Sequence, residues 1–241
     1  MRRAGHTRRH TLVRAAACTA AALVAAGCDP ATLATSNSPT PGAALHPPFT
    51  YLAIGASDAA GVGVDEPQRD GWVPVLSRRL PQPARLVNLG IPGMKLRDAI
   101  AVQLPPALEA QPQLITIWLV VNDVLGSVPL EQYRADLDAL LHTLRAQTSA
   151  HVTVGNIPTA PERSRYLGLA AAERQALAAR WNEAIAGAVA ASGAILVDLA
   201  TRWQLPQHPE YIGPDGLHPT VAGYRTLAET FLAVLRERRV V

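Results

Sequence analysis

Cysteine is almost absent. The 241-residue chain has only Cys18 and Cys28. Both lie near the amino terminus, in or beside a segment that reads as removable, so no disulfide can form within the domain and the fold must rest on its core. Aromatic residues are scarce too, at 5%. The long loops hold few of them (Tyr166, Trp203, Tyr211), which leaves no sign of a sugar-stacking platform. The glycines between Gly55 and Gly63 are not followed by a lysine, and their spacing fits neither phosphate-cradling pattern. No spacing of His, Cys and carboxylate suggests a metal site, so neither metal nor cofactor is expected. There is no internal repeat.

The amino terminus is different in kind. Arg2, Arg3, Arg8, Arg9 and Arg14 precede an apolar run from Ala15 to Ala26. That run is shorter than the roughly 20 residues a membrane span needs. A basic start, a short apolar core and small residues before a cut site describe a secretory signal over residues 1–27. Ala25-Ala26-Gly27-Cys28 resembles a bacterial lipobox, with Ala25 where leucine is usual. The resemblance implies cleavage before Cys28, lipidation of its thiol and an extracytoplasmic location. Arg8-Arg9 also resembles a twin-arginine export signal. Residues 28–48 are rich in Pro, Ser, Thr and Ala without an apolar period, and read as a semi-extended tether up to about 60 Å long.

Removing the first 27 of 241 residues leaves 214, enough for one domain with a sizeable core. It also removes five of 22 basic residues and none of the 19 acidic ones, leaving 17 against 19. The formal charge therefore changes from +3 to −2. The basic balance belongs to the precursor, and a nucleic-acid partner is not expected.

Over residues 49–241, short apolar runs alternate with helical patterns. Tyr51–Ile54, Arg85–Leu89, Leu114–Val121, His151–Asn156 and Ala194–Val197 read as strands. The third is almost continuously apolar, as a central strand covered on both faces should be. Helices are predicted over Leu130–Gln147, Leu169–Ala191 and Val221–Arg238, with weaker ones at Trp72–Arg79 and Leu96–Leu104, the latter halted by Pro105-Pro106. Alternation of this kind predicts an α/β fold with a parallel sheet and helices on both faces.

Four stretches fall at or beyond strand ends, where open α/β sheets bind ligands. They are Gly55-Ala56-Ser57-Asp58, Asn88 to Gly93, Asn122-Asp123, and Asp215-Gly216-Leu217-His218-Pro219. Together they offer the parts for acyl transfer. Ser57 is a candidate nucleophile and His218 a candidate general base. Asp215, three residues before His218, can reach the other ring nitrogen and orient it. The backbone N–H groups of Ser57 and Gly93 and the Asn122 amide could form an oxyanion hole, with Gly90 competing with Gly93. Asp123 is read as a loop brace. His46, His142, His151 and His208 have no partner at a meaningful spacing.

Ser57, Gly93, Asn122 and the Asp215-x-x-His218 pair resemble, in order, the four blocks of the SGNH (GDSL-type) esterase/lipase family, over about Tyr51 to Arg238. The resemblance implies a flavodoxin-like three-layer αβα sandwich with a five-stranded parallel sheet in the order 2-1-3-4-5. It also implies a serine esterase that hydrolyses acyl or acetyl esters through an acyl-enzyme, using a Ser57-His218-Asp215 triad and no cofactor. Two departures stand out. Ala56 and Asp58 replace the Asp and Leu of Gly-Asp-Ser-Leu, and Val120 and Val121 stand where the family has glycines before the Asn. The valines narrow the space beside the oxyanion site and bear on pocket shape and acyl-chain acceptance.

Gly-x-Ser-x-Gly is broken at Ala59, and Asp215 lies close to His218 in sequence, so an α/β-hydrolase elbow is excluded. Two other readings stay open. One is a non-catalytic glycan- or lipid-binding envelope lipoprotein on the same scaffold. The other is an acyltransferase using the same triad. The expected partners are a small-molecule, glycan or lipid ester and, through Cys28, a membrane. A monomer is expected.

Overall fold

The computed structural model describes residues 49–80, 84–159 and 168–241. The signal over 1–27, Cys28, the tether over 28–48 and Tyr166 lie outside the described residues.

The apolar runs form five strands: β1 Phe49–Gly55, β2 Ala84–Asn88, β3 Leu114–Trp118, β4 His151–Gly155 and β5 Ile195–Val197. All four pairings are parallel and the order is 2-1-3-4-5. β1 is the hub: Tyr51 stands opposite Leu86 on one side and Leu114 on the other. β3, between β1 and β4, is buried at every residue, which is why its sequence lacks alternation.

Helices connect the strands. α1 Ser57–Ala60, α2 Pro67–Asp70 and α3 Trp72–Ser77 lie between β1 and β2. α4 Leu96–Val102 and α5 Leu104–Glu109 lie between β2 and β3. α6 Val121–Leu125 and α7 Leu130–Gln147 lead to β4, and α8 Ala171–Ser192 leads to β5. α9 Leu199–Arg202 and α10 Val221–Glu237 follow β5. The chain leaves β1 for β2 in one direction, then returns past β1 to β3, β4 and β5 in the other. Right-handed crossovers therefore put α3 on one face and α4, α7 and α8 on the opposite face. The packing agrees: α10 covers α3, while α7 packs on α4 and α8. Trp72 stacks on Phe231 at 4.6 Å in one layer, and Tyr133 meets Trp181 at 4.8 Å in the other.

Most boundaries shift by a residue or two from the sequence pattern, and three of the shifts have a visible local cause. Pro105-Pro106 does not end a helix; it lies in the first turn of α5, where the missing N–H has no intrahelical acceptor to lose. The apolar run after Trp118 leaves the sheet, and Val121 opens α6, so Asn122 lies in a helical first turn and not at a strand end. α8 starts at Ala171, where Glu173 accepts the N–H of Ala170 at 2.8 Å.

Candidate active site

β1 ends at Gly55, and the chain turns at once into α1 with Ser57 as its first residue. The turn is braced from three elements. Gln103, between α4 and α5, is buried and donates to the carbonyls of Gly55 (2.9 Å) and Leu89 (2.5 Å). Asn88 at the end of β2 donates to Ala59 O at 2.7 Å. Ser57 O accepts from Val62 N at 2.8 Å. These bonds fix where the Ser57 hydroxyl projects.

His218 reaches that hydroxyl from the loop before α10. Its Nε2 lies 2.9 Å from Ser57 Oγ, and its Nδ1 lies 2.7 Å from Asp215 Oδ2. Asp215 Oδ1 accepts from the backbone N–H of Leu217 and His218, each at 3.0 Å. Burial opposes the charge of Asp215, but the Leu217 N–H and the imidazole outweigh it and hold its carboxyl below the usual range. An ionised carboxylate only accepts, so His218 Nδ1 carries the proton, Nε2 accepts, and the Ser57 O–H donates.

The loop is pinned as firmly as the turn. His218 O accepts from Gly213 N at 2.8 Å, and Ile212 pairs with Pro219 in an antiparallel bridge. Gly63, at φ +101°, passes so close that an added Cβ would meet Pro219 O at 2.9 Å and His218 Cβ at 3.0 Å. Only glycine fits both that space and that backbone conformation.

Asn122 donates through Nδ2 to Met94 O at 3.0 Å, which orients its amide and ties α6 to the Gly93 turn. Gly93 has φ +80°, the left-handed region glycine adopts without strain. Among the described residues no acceptor is found for the N–H of Ser57 or Gly93. Gly90 differs: its N–H is taken by Asn88 Oδ1 at 3.0 Å. Asp123 is buried and accepts the Leu96 N–H, capping α4; burial pushes its carboxyl up to about 6. His208 pairs with Glu210 at 3.0 Å, and His142 and His151 are far from Ser57 in the fold's layout. Among the described residues no cluster of His, Cys, Asp and Glu is arranged to hold a metal ion.

The residues meet in a small cleft, about 40 Å³, lined by Ser57, Asp58, Trp118, Val120, Val121, Asn122 and His218 among others. A hydroxyl bonded to an acceptor imidazole is equipped for nucleophilic attack on a carbonyl.

A family model described as GDSL-like Lipase/Acylhydrolase matches residues 53–226. The chain belongs to that family. It is a serine hydrolase, and ester hydrolysis is the chemistry of this GDSL-type family. The fold is similar to that of TesA, at 26% identity and a TM-score of 0.65, over 80% of this chain and 99% of that one. It is similar to a lipase/acylhydrolase from Enterococcus faecalis at 20% identity and 0.66, over 79% and 96%. It is also similar to the psychrotrophic esterase EstA from Pseudoalteromonas sp. at 21% identity and 0.62, over 78% and 97%. No curated protein matches the chain.

Sequence reasoning passed over Gln103 and gave no role in this GDSL-type site to Asn88 or Gly63. The motif blocks name the candidate reacting groups, while these residues act through long-range backbone contacts that no local spacing records.

Proposed function

We propose that this chain is an extracytoplasmic, lipid-anchored serine esterase with Ser57 as nucleophile, His218 as general base and Asp215 as the group that orients His218. The observation that carries it is the unbroken Asp215–His218–Ser57 hydrogen-bond chain, at 2.7 and 2.9 Å. Ser57 Oγ attacks the ester carbonyl carbon and its proton passes to His218 Nε2. Asp215 stabilises the imidazolium. The oxyanion is received by the N–H groups of Ser57 and Gly93 and the Asn122 amide. The C–O bond to the alcohol breaks, and the alcohol leaves with the proton from Nε2. Water then attacks the acyl-enzyme with His218 again as base, releasing the carboxylic acid and free Ser57.

The anchor rests on sequence: the lipobox-like run before Cys28 and the Pro-rich stretch after it. The domain over 49–241 would act from the end of that tether on an ester substrate, as a monomer.

The test is hydrolysis of p-nitrophenyl acetate and labelling by a fluorophosphonate. Ser57→Ala and His218→Ala should lower turnover by about 10³-fold or more, and Ser57→Ala should lose the label. Asp215→Ala should retain part of the activity. Equal turnover and labelling by wild type and Ser57→Ala would falsify the assignment.

A further inference from the structure

The charge around the Ser57 cleft is one-sided. From Ser57 to Gln68 and from Trp203 to Tyr224 the chain has no lysine or arginine. These two segments carry Ser57 and His218, and with them Asp58, Asp65, Glu66, Glu210 and Asp215. The fold presses the segments together: Gly63 lies against His218 and Pro219, and the Tyr224 hydroxyl donates to Val62 O at 2.6 Å. The oxyanion side has the opposite sign, because Lys95 follows the Gly93 turn.

Of these carboxyls Asp58 is the one that lines the cleft, directly after the nucleophile. It has no fixed countercharge. The buried carboxyls elsewhere have one: Lys95 acts on Asp123, and Arg97 pairs with Asp136 at 2.9 Å. Among the described residues, Asp58 is acted on only by backbone N–H groups and by His218, whose imidazole is neutral in the resting triad. α3, which packs on α1, runs from Trp72 to Ser77 without a charge, and β1 and β3 end at Gly55 and Trp118. On α10 the facing group is Tyr224, whose proton is held by burial and then by Asp58 and Asp215. Burial pushes the Asp58 carboxyl up to about 6, so above that pH the cleft holds a carboxylate that is half-buried and unpaired. Such a group is costly to keep, and a cation brought by the ligand offsets the cost.

From this we infer that Asp58 selects esters whose alcohol carries an ammonium group two carbons from the ester oxygen. The inference rests on Ser57 being the nucleophile. In the tetrahedral intermediate the oxyanion faces Gly93 and Asn122, and the alcohol oxygen faces His218 Nε2, which delivers its proton. The alcohol therefore leaves on the His218 side, where the chain supplies acids and no lysine or arginine. Asp58 belongs to that side, since His218 and Tyr224 are its electrostatic neighbours. Two methylenes span about 4 Å, close to the ~3.8 Å between adjacent Cα atoms. An ammonium that far along the alcohol meets a carboxylate one residue from Ser57. An alcohol bearing a carboxylate or a phosphate meets the same charges and is rejected.

Acetylcholine and 3,3-dimethylbutyl acetate test this, because they share a shape and differ in the charge of one atom; turnover is read as acetate released. At pH 8, kcat/KM in wild type should be roughly tenfold or more higher for the cationic ester. Both esters use the same triad, so its titration cancels in their ratio. The ratio should fall towards one between pH 8 and pH 5, as Asp58 takes up its proton, and Asp58→Asn should hold it near one throughout. If that variant fails to fold, the pH dependence of the ratio in wild type decides by itself. Equal kcat/KM at pH 8 overturns the inference, and so does a ratio that ignores pH. A ratio that survives in Asp58→Asn also overturns it, assigning the preference to Glu210 or Asp215. Ethyl 4-aminobutyrate against ethyl pentanoate forms the second arm: a cation preference there and none among the alcohols puts the carboxylate on the acyl side, and the inference is wrong. Absence of p-nitrophenyl acetate turnover together with absence of fluorophosphonate labelling in wild type identifies a failure of the esterase reading itself.

Discussion

Asp58 follows the Ser57 hydroxyl directly and lines the same cleft, and its setting disfavours its charge. Burial pushes its carboxyl up to about 6, against smaller opposing contributions from the backbone N–H of Ala59 and from His218. Its folded value lies above the unfolded one. The native state therefore holds the proton more tightly, and the associated stability is present below about pH 4 and lost as pH rises through 6. Asp58→Asn keeps an acceptor for the backbone and cannot ionise. The difference in unfolding free energy between variant and wild type should be small near pH 4, then grow to about 1–3 kcal/mol in favour of the variant by pH 7. Urea denaturation across that range measures it; a flat difference would mean that the charge is well solvated in the fold. Asp123 titrates in the same range but is common to both proteins, so it cancels.

At the scale of elements, the site depends on how α10 begins. Thr220 closes the His218 loop and caps the helix: its Oγ1 accepts from Gly223 N at 3.3 Å and donates to Glu210 O at 2.9 Å, and its N–H donates to Tyr211 O at 2.8 Å. Thr220→Ala should cost about 1–2 kcal/mol of stability, read from the denaturation midpoint. Because Thr220 is separated from His218 by one residue, kcat should fall more than KM changes, as the imidazole loses its fixed distance to Ser57. A loss of stability with kcat intact would show that Gly213 and Pro219 hold the loop by themselves.

At the scale of the molecule, two properties of the chain separate. The described residues are built around a five-stranded sheet, and no helix among them is long and apolar enough to cross a membrane. On the proposed reading, the hold on a membrane comes from the amino terminus. A lipidated Cys28 predicts a mature amino terminus heavier than the cysteine by a diacylglyceryl group, by mass spectrometry of the protein expressed in a bacterium that processes lipoproteins. Cys28→Ala should shift the protein from the membrane to the soluble fraction. An unmodified Cys28 in a membrane-free protein would sink the tether.

The sequence by itself determined the sheet and picked out the residues that meet in the cleft. Runs such as Leu114–Trp118 are apolar but for Thr116 because both faces are covered, and that local pattern needs no partner to be read. Ser57, Asn122, Asp215 and His218 are legible for a related reason: the side chains proposed to react stand in short blocks at fixed offsets. Tertiary structure alone decided the rest. Pro105-Pro106 reads as a stop, yet the fold sets it in a first turn where it does no harm. Gln103 looks like any helix-end glutamine until the fold brings Gly55 and Leu89 within its reach. Gly90 and Gly93 are equivalent in sequence, and they part only when Asn88 takes one N–H and leaves the other. The acidic side of the cleft draws Asp58 from α1 and Asp215 from the loop before α10, segments distant in the chain. It exists only because α10, packing on α3, brings the two together.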